Sequence, residues 1–243
     1  MARGPGLSPL PPPVGGVTGP TSFPGARIAF GSRAGLAERY AGWLVGPGVD
    51  RGLLGPREAD RVWPRHLLNC AAAAELVPVG ARVVDLGSGA GLPGVPLALA
   101  RPDLRVTLVE PQLRRARFLH DVLADLELPR LGLVRGRHDG LAPGCVDVVV
   151  VRAVAPLERL LPWALPLLRA GGILLALKGE GAAAEVAAAA HLLAARRAHA
   201  EVVVCPSLAD RMASHGVDPT VVVRVTQVGA GTRDPVGLRG RRA

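Results

Sequence analysis

Cysteine is scarce in this chain. Cys70, Cys145 and Cys205 stand far apart, are odd in number and form no C-x-x-C pair. Such spacing offers neither a zinc site nor a disulfide framework and fits a reducing compartment, so no metal is expected. No run is long and apolar enough to span a bilayer, and no membrane partner is expected. Met1 to Pro24 has one early arginine but no apolar central region, which argues against a secretory signal. A cytoplasmic, monomeric protein is the expectation. No internal repeat is evident, and the alanine runs 71–74 and 182–184 are helix formers. No Ser/His/Asp, Cys/His or paired-carboxylate constellation is present. A binding protein would share that absence with any enzyme that needs no such group.

What the chain does have is positive charge. Its 243 residues carry a formal net charge of +9, and the sequence pI is about 11.1. That balance suits a polyanionic partner, although arginine- and alanine-rich composition also follows from a high-GC genome. Residues 1–25, with Pro11-Pro12-Pro13 and Gly15-Gly16, form a Pro/Gly-rich tail that is expected to be disordered. Residues 26–79 read as an N-terminal helical segment packed on the core. Leu36, Tyr40, Trp43 and Leu44 recur at helical spacing, Gly46-Pro47-Gly48 is expected to close that helix, and Pro56 can open the next. Residues 80–228 form the core and 229–243 a basic flexible tail.

Within the core, strands are expected near 82–86, 104–110, 131–135, 146–151, 172–177, 201–205 and 219–227. Helices are expected near 93–100, 112–126, 157–169 and 182–198. This alternation predicts an α/β fold with a mostly parallel seven-stranded sheet covered on both faces. The link between the last two strands is too short for a crossover helix, so that pair should be antiparallel.

The most informative stretch is Val83-Val84-Asp85-Leu86-Gly87-Ser88-Gly89-Ala90-Gly91-Leu92-Pro93-Gly94. A β-branched run reaches an aspartate, a glycine turn follows, and then a segment that can start a helix. Glycines let the backbone pass beneath a ligand, and the helix start suits an anionic group. The dinucleotide fingerprint G-x-G-x-x-G would need a third glycine where Leu92 stands. That mismatch favours S-adenosyl-L-methionine. A second strand, Leu104 to Val109, ends at Glu110, roughly 20 residues beyond the loop, the offset of a carboxylate that grips a ribose diol.

These residues resemble the RsmG (GidB) family, methyltransferases that act on a guanine N7 in small-subunit ribosomal RNA. Besides the Asp85–Gly94 motif, four stretches agree in order. They are Trp63-Pro64-Arg65-His66-Leu67-Leu68-Asn69, Glu110 followed by Arg114-Arg115-x-Arg117-Phe118-Leu119, Arg152-Ala153-Val154-Ala155-Pro156-Leu157, and Leu177-Lys178-Gly179. The match runs from about Tyr40 to Val225, and the family commonly has Asp where Asn69 stands. The resemblance implies a class I, Rossmann-like S-adenosylmethionine-dependent methyltransferase with an N-terminal helical extension. It implies 16S rRNA or the small ribosomal subunit as partner. It places cofactor contacts on Gly87, Leu92, Glu110, His138, Asp139 and Arg152; Gly89, Gly91 and Asp85 join them from the loop reading. Arg152, Lys178 and Arg137 are the catalytic candidates, and His66, Arg114, Arg115 and Arg117 the RNA-binding ones. Guanine N7 bears a free in-plane lone pair, so its methylation needs alignment and a suitable field rather than a general base. A class I methyltransferase for a small molecule, and a non-catalytic RNA-binding module with a relic loop, are the rival readings.

Overall fold

A computed structural model describes residues 22–211 and 217–227. The two expected tails therefore lie almost wholly outside the described residues. Helix α1 (Ala26–Phe30) leads through a 3-10 turn into α2 (Ala34–Trp43). The expected stop at Gly46-Pro47-Gly48 does not occur there. The chain continues through a π turn, Leu44–Gly48, with Pro47 inside it. Proline cannot supply the i→i−4 amide, and the wider turn bypasses that missing donor. A second irregular run starts at Pro56, as expected, and passes through a π turn (Val62–Leu68) into α3 (Asn69–Ala72).

Strands and helices then alternate: β1 (Arg82–Leu86), α4 (Gly94–Ala100), β2 (Arg105–Val109), α5 (Leu113–Leu126), β3 (Leu131–Val134), β4 (Val146–Arg152) and α6 (Leu157–Ala164). They are followed by β5 (Leu168–Lys178), α7 (Ala182–Ala188), α8 (Ala190–Ala195), β6 (Ala198–Cys205), α9 (Pro206–Arg211) and β7 (Thr220–Gln227). The sheet has seven strands in the order β3-β2-β1-β4-β5-β7-β6. β7 is antiparallel to both β5 and β6, and the remaining pairs are parallel. The expected α/β architecture is borne out, including its antiparallel last pair.

One boundary moves. The helix expected over 157–169 ends at Ala164, and β5 begins at Leu168, four residues before the expected start. Pro166 lacks the amide an α-helical ladder would need there. Pairing with β4 then slips between Val146↔Leu168 and Val148↔Ile173, which accommodates Gly171-Gly172.

The sheet separates two apolar cores. Val148 and Val150 face the core built with α2, α4, α5 and the N-terminal run, while Val149 and Val151 face the one built with α6, α7 and α8. Burial on both sides explains why β4 is apolar without alternation. Tyr40, Trp43 and Trp63 are each at most 2% exposed, so the N-terminal segment is part of the first core. Arg101 clasps its lower end, donating to the carbonyls of Ala74 and Val77 and to Asp103. Among the described residues no helix is long and apolar enough to cross a membrane.

Among the described glycines, the least room for a side chain is at the start of α4. A Cβ added at Gly94 would overlap Leu108 Cδ2 and come within 2.7 Å of Asp85 Oδ2. Overpacking of this kind costs about 1–3 kcal/mol. Gly94→Ala should lower Tm by several degrees in a thermal melt. A melt indistinguishable from wild type would contradict the packing described.

Candidate functional site

The sheet order reverses direction between β1 and β4, and the loop after β1 opens at that switch point, where α/β sheets bind ligands. Gly87, Gly89 and Gly91 have φ of 72°, 60° and 103°, a region that side chains with a Cβ rarely adopt. Ser88 stitches the turn to both strands. Its hydroxyl donates to the Asp85 carbonyl at 3.0 Å and accepts the Val109 amide at 3.1 Å. Tyr40, from α2, donates to the Ala90 carbonyl at 2.9 Å.

The loop and the distant acid meet. Glu110 is 1% exposed, and its carboxylate accepts the amides of Gly89 (2.9 Å) and Gln112 (2.8 Å). Asp85 is wholly buried. Its Oδ2 accepts the Gly94 amide at 3.0 Å, while its Oδ1 is buried with no hydrogen-bond partner. Burial dominates this group and pushes the carboxyl up to about 7 against the opposing amide bond. The α4 helix is short, and its Gly94 amide is already taken by Asp85. The expected anion site at that helix start is therefore not formed; the carboxylates dominate instead.

Two cavities meet at Val154, which packs against Gly87 of the glycine turn. One, about 310 Å³, is lined by Gly87, Val109, Pro111, Arg137, His138 and Trp163 among others. The His138 ring stacks on Trp163 with centroids 5.4 Å apart, and Arg159 lies 5.7 Å over the same indole. The second, about 540 Å³, is lined by Arg65, Asn69, Arg152, Lys178, Glu185 and the loop 153–156. Val154 lines both.

The site candidates distribute unevenly over this geometry. Arg152 and Lys178 line the second cavity, whereas Arg137 lines the first, apart from them. Arg152 donates to Cys70 Sγ (3.2 Å) and to the Arg65 carbonyl (2.9 Å), so the end of β4 is tied to the N-terminal run. Lys178 donates to the Ala155 carbonyl at 2.9 Å and pairs with Glu185 at 2.7 Å. Asp139 is exposed and lines neither cavity. The Leu92 side chain packs against the first core. His66 is 7% exposed and bonds Glu58 at 3.0 Å. Burial, reinforced by Arg152, holds its imidazole down at about 4, so it is neutral at pH 7 and offers no charge to a phosphate. Arg114 and Arg117 are exposed and have no ion-pair partner among the described residues, while Arg115 is half-buried. Among the described residues no cluster of His, Cys, Asp and Glu could hold a metal.

Sequence reasoning missed Tyr40, Ser88, Cys70, Val154 and Trp163. Tyr40 and Cys70 register in the sequence only as members of an apolar helical stripe. A hydroxyl inside a glycine turn was a signal for Ser88; Val154 stood in the matched 152–157 stretch with nothing to set it apart from its neighbours.

The family model described as GidB, rRNA small subunit methyltransferase G, matches residues 34–213. The chain belongs to this family. A ribosomal RNA small subunit methyltransferase G of Thermobifida fusca is 54% identical over 205 residues, covering 83% of each chain. Another family member, from Mycolicibacterium gilvum, is 50% identical and covers 89% of this chain and 95% of its own. P. horikoshii TYW2, solved in complex with MeSAdo, superposes with a TM-score of 0.52 at 15% identity, over 67% of this chain and 62% of its own. A Corynebacterium glutamicum protein gives 0.50 at 17% identity, over 79% and 92%. At such identities the two structures speak for the fold alone.

Asp85 makes stability depend on pH. Its folded carboxyl titrates near 7, above the ordinary value of about 3.9, so the folded state binds the extra proton between those limits. Its stabilising contribution is complete below about pH 4 and is lost as pH rises through about 7. Melts from pH 4 to 8 should show Asp85→Asn gaining on wild type as pH rises; a constant difference would contradict this.

Proposed function

We propose that this chain transfers the methyl group of S-adenosyl-L-methionine to N7 of a guanine in 16S rRNA of the small ribosomal subunit. The observation that carries the reading is the Gly89–Glu110 hydrogen bond, which sets a ribose-gripping carboxylate against a glycine turn, in a chain of the rRNA small subunit methyltransferase G family. The residues fit the cofactor. Each Glu110 oxygen has a further lone pair for a ribose hydroxyl beyond the backbone amide it already accepts. The buried, unpartnered Asp85 Oδ1 is an acceptor waiting for a donor such as an ammonium. The largely apolar cavity beside His138 and Trp163 suits a purine ring.

S-adenosylmethionine supplies a sulfonium methyl, an electrophile that a guanine N7 attacks with its own lone pair. The chain then has to align, exclude water and present a suitable field. Arg152 and Arg65 bring positive charge to the second cavity, where the base and its phosphates would lie. Arg114 and Arg117 add exposed positive charge on α5. In this reading residues 26–79 form one wall of the cleft, since Tyr40, Arg65 and Cys70 all touch it.

Labelled methyl donor, incubated with small subunits or rRNA from a strain lacking the gene, should deliver label to a guanine N7; no transfer would refute the reading. The rate should fall steeply with salt, because neutralised phosphates release counterions. A salt-insensitive reaction would favour a small-molecule acceptor. Glu110→Ala should weaken cofactor binding by roughly 10- to 150-fold, the loss expected for a charged hydrogen bond, as read by calorimetry. Binding at pH 6 should also release up to about one proton, as Asp85 ionises beside the ammonium. Titrations in buffers of different ionisation heat would detect it, and Asp85→Asn should abolish it.

A further inference from the structure

Four contacts converge on one short segment between the two cavities. Ala153 has φ of 54°, an uncommon conformation for a residue with a Cβ, so the strap 153–156 keeps a shape it would not hold unaided. Its start is pinned through Arg152 to Cys70 and the Arg65 carbonyl. Its middle is pinned where Lys178 Nζ donates to the Ala155 carbonyl at 2.9 Å. Its end is pinned where the Leu157 amide donates to Glu185 Oε2 at 2.9 Å. Lys178 and Glu185 are themselves paired at 2.7 Å, so both pins form one unit. The Lys178 side chain is only 10% exposed, which leaves its ammonium committed to the strap and to Glu185.

Val154 is the crest of that strap. It lines both cavities, and its methyls press on the glycine turn so closely that a Cβ at Gly87 would fall 2.9 Å from Val154 Cγ2. No other described residue lines both cavities.

We propose that residues 153–156 are the partition between the donor and acceptor halves of the cleft, and that the Lys178–Glu185 pair is its anchor. Lys178 is then a positioning residue: it acts on methyl transfer by fixing the height of Val154 and does not touch the base. Glu185, which the sequence did not mark, shares that role. The inference rests on the methyltransferase reading above for its kinetic consequence, but not for the anchor itself.

Two measurements test it. In the cofactor-free protein, exchange of the Leu157 amide, which is bonded to Glu185, should quicken at least about tenfold in Lys178→Met, while Val148–Val151 stay protected, as expected for local opening of a pinned loop. Glu185→Gln keeps an acceptor for the Leu157 amide and should show the same pattern at smaller amplitude. Unchanged exchange in both variants overturns the anchor. At saturating cofactor and rRNA, Val154→Ala and Lys178→Met should each slow single-turnover transfer by about tenfold, and the double variant should be no slower than either, because both act through one element. Losses that multiply would put Lys178 on the substrate and overturn the proposal. Quickened exchange in a wild-type-active background supports it; quickened exchange with no rRNA transfer even by wild type refutes the rRNA reading while leaving the anchor standing.

Discussion

A single charged hydrogen bond, from the Gly89 amide to the Glu110 carboxylate, joins the tips of two neighbouring strands. The rest of the cleft is arranged about it. Once β1 and β2 are in register, Ser88 can bridge the same strands, and Asp85 is forced inward beneath the turn. The carboxylate is almost wholly buried, where a charge survives only with partners to satisfy it. Its two backbone amides meet that need and fix the geometry together.

Two acids a few residues apart in space thus have opposite circumstances. Glu110 accepts two amides; Asp85 accepts one and keeps an oxygen without a partner. Burial with a single amide partner raises the Asp85 carboxyl.

Much of this was legible in the chain. Apolar β-branched runs such as Val148–Val151 announced buried parallel strands, and the offset between the glycine turn and Glu110 announced their meeting. Boundaries shifted where proline and glycine compete with tertiary packing, at Pro47 and around Pro166 to Gly172. The contacts across the cleft were not legible, because they join residues far apart in sequence whose types carry no chemical flag. Cys70 and Arg152 are separated by 82 positions. His66 sat in a suggestive motif, yet burial beside Glu58 makes it a neutral wall residue. Arg137 and Lys178 looked alike as cations, and only the folded chain sends them to different cavities.

The clasp between Arg152 and the Arg65 carbonyl also bears on how such a protein can change. A helical cap that merely recognised substrate could be exchanged between relatives like a tool head. Here the cap supplies the lodging for a strand-end arginine and, through Tyr40, for the glycine turn. Grafting a foreign cap would therefore loosen the end of β4 and the glycine turn along with the cap itself.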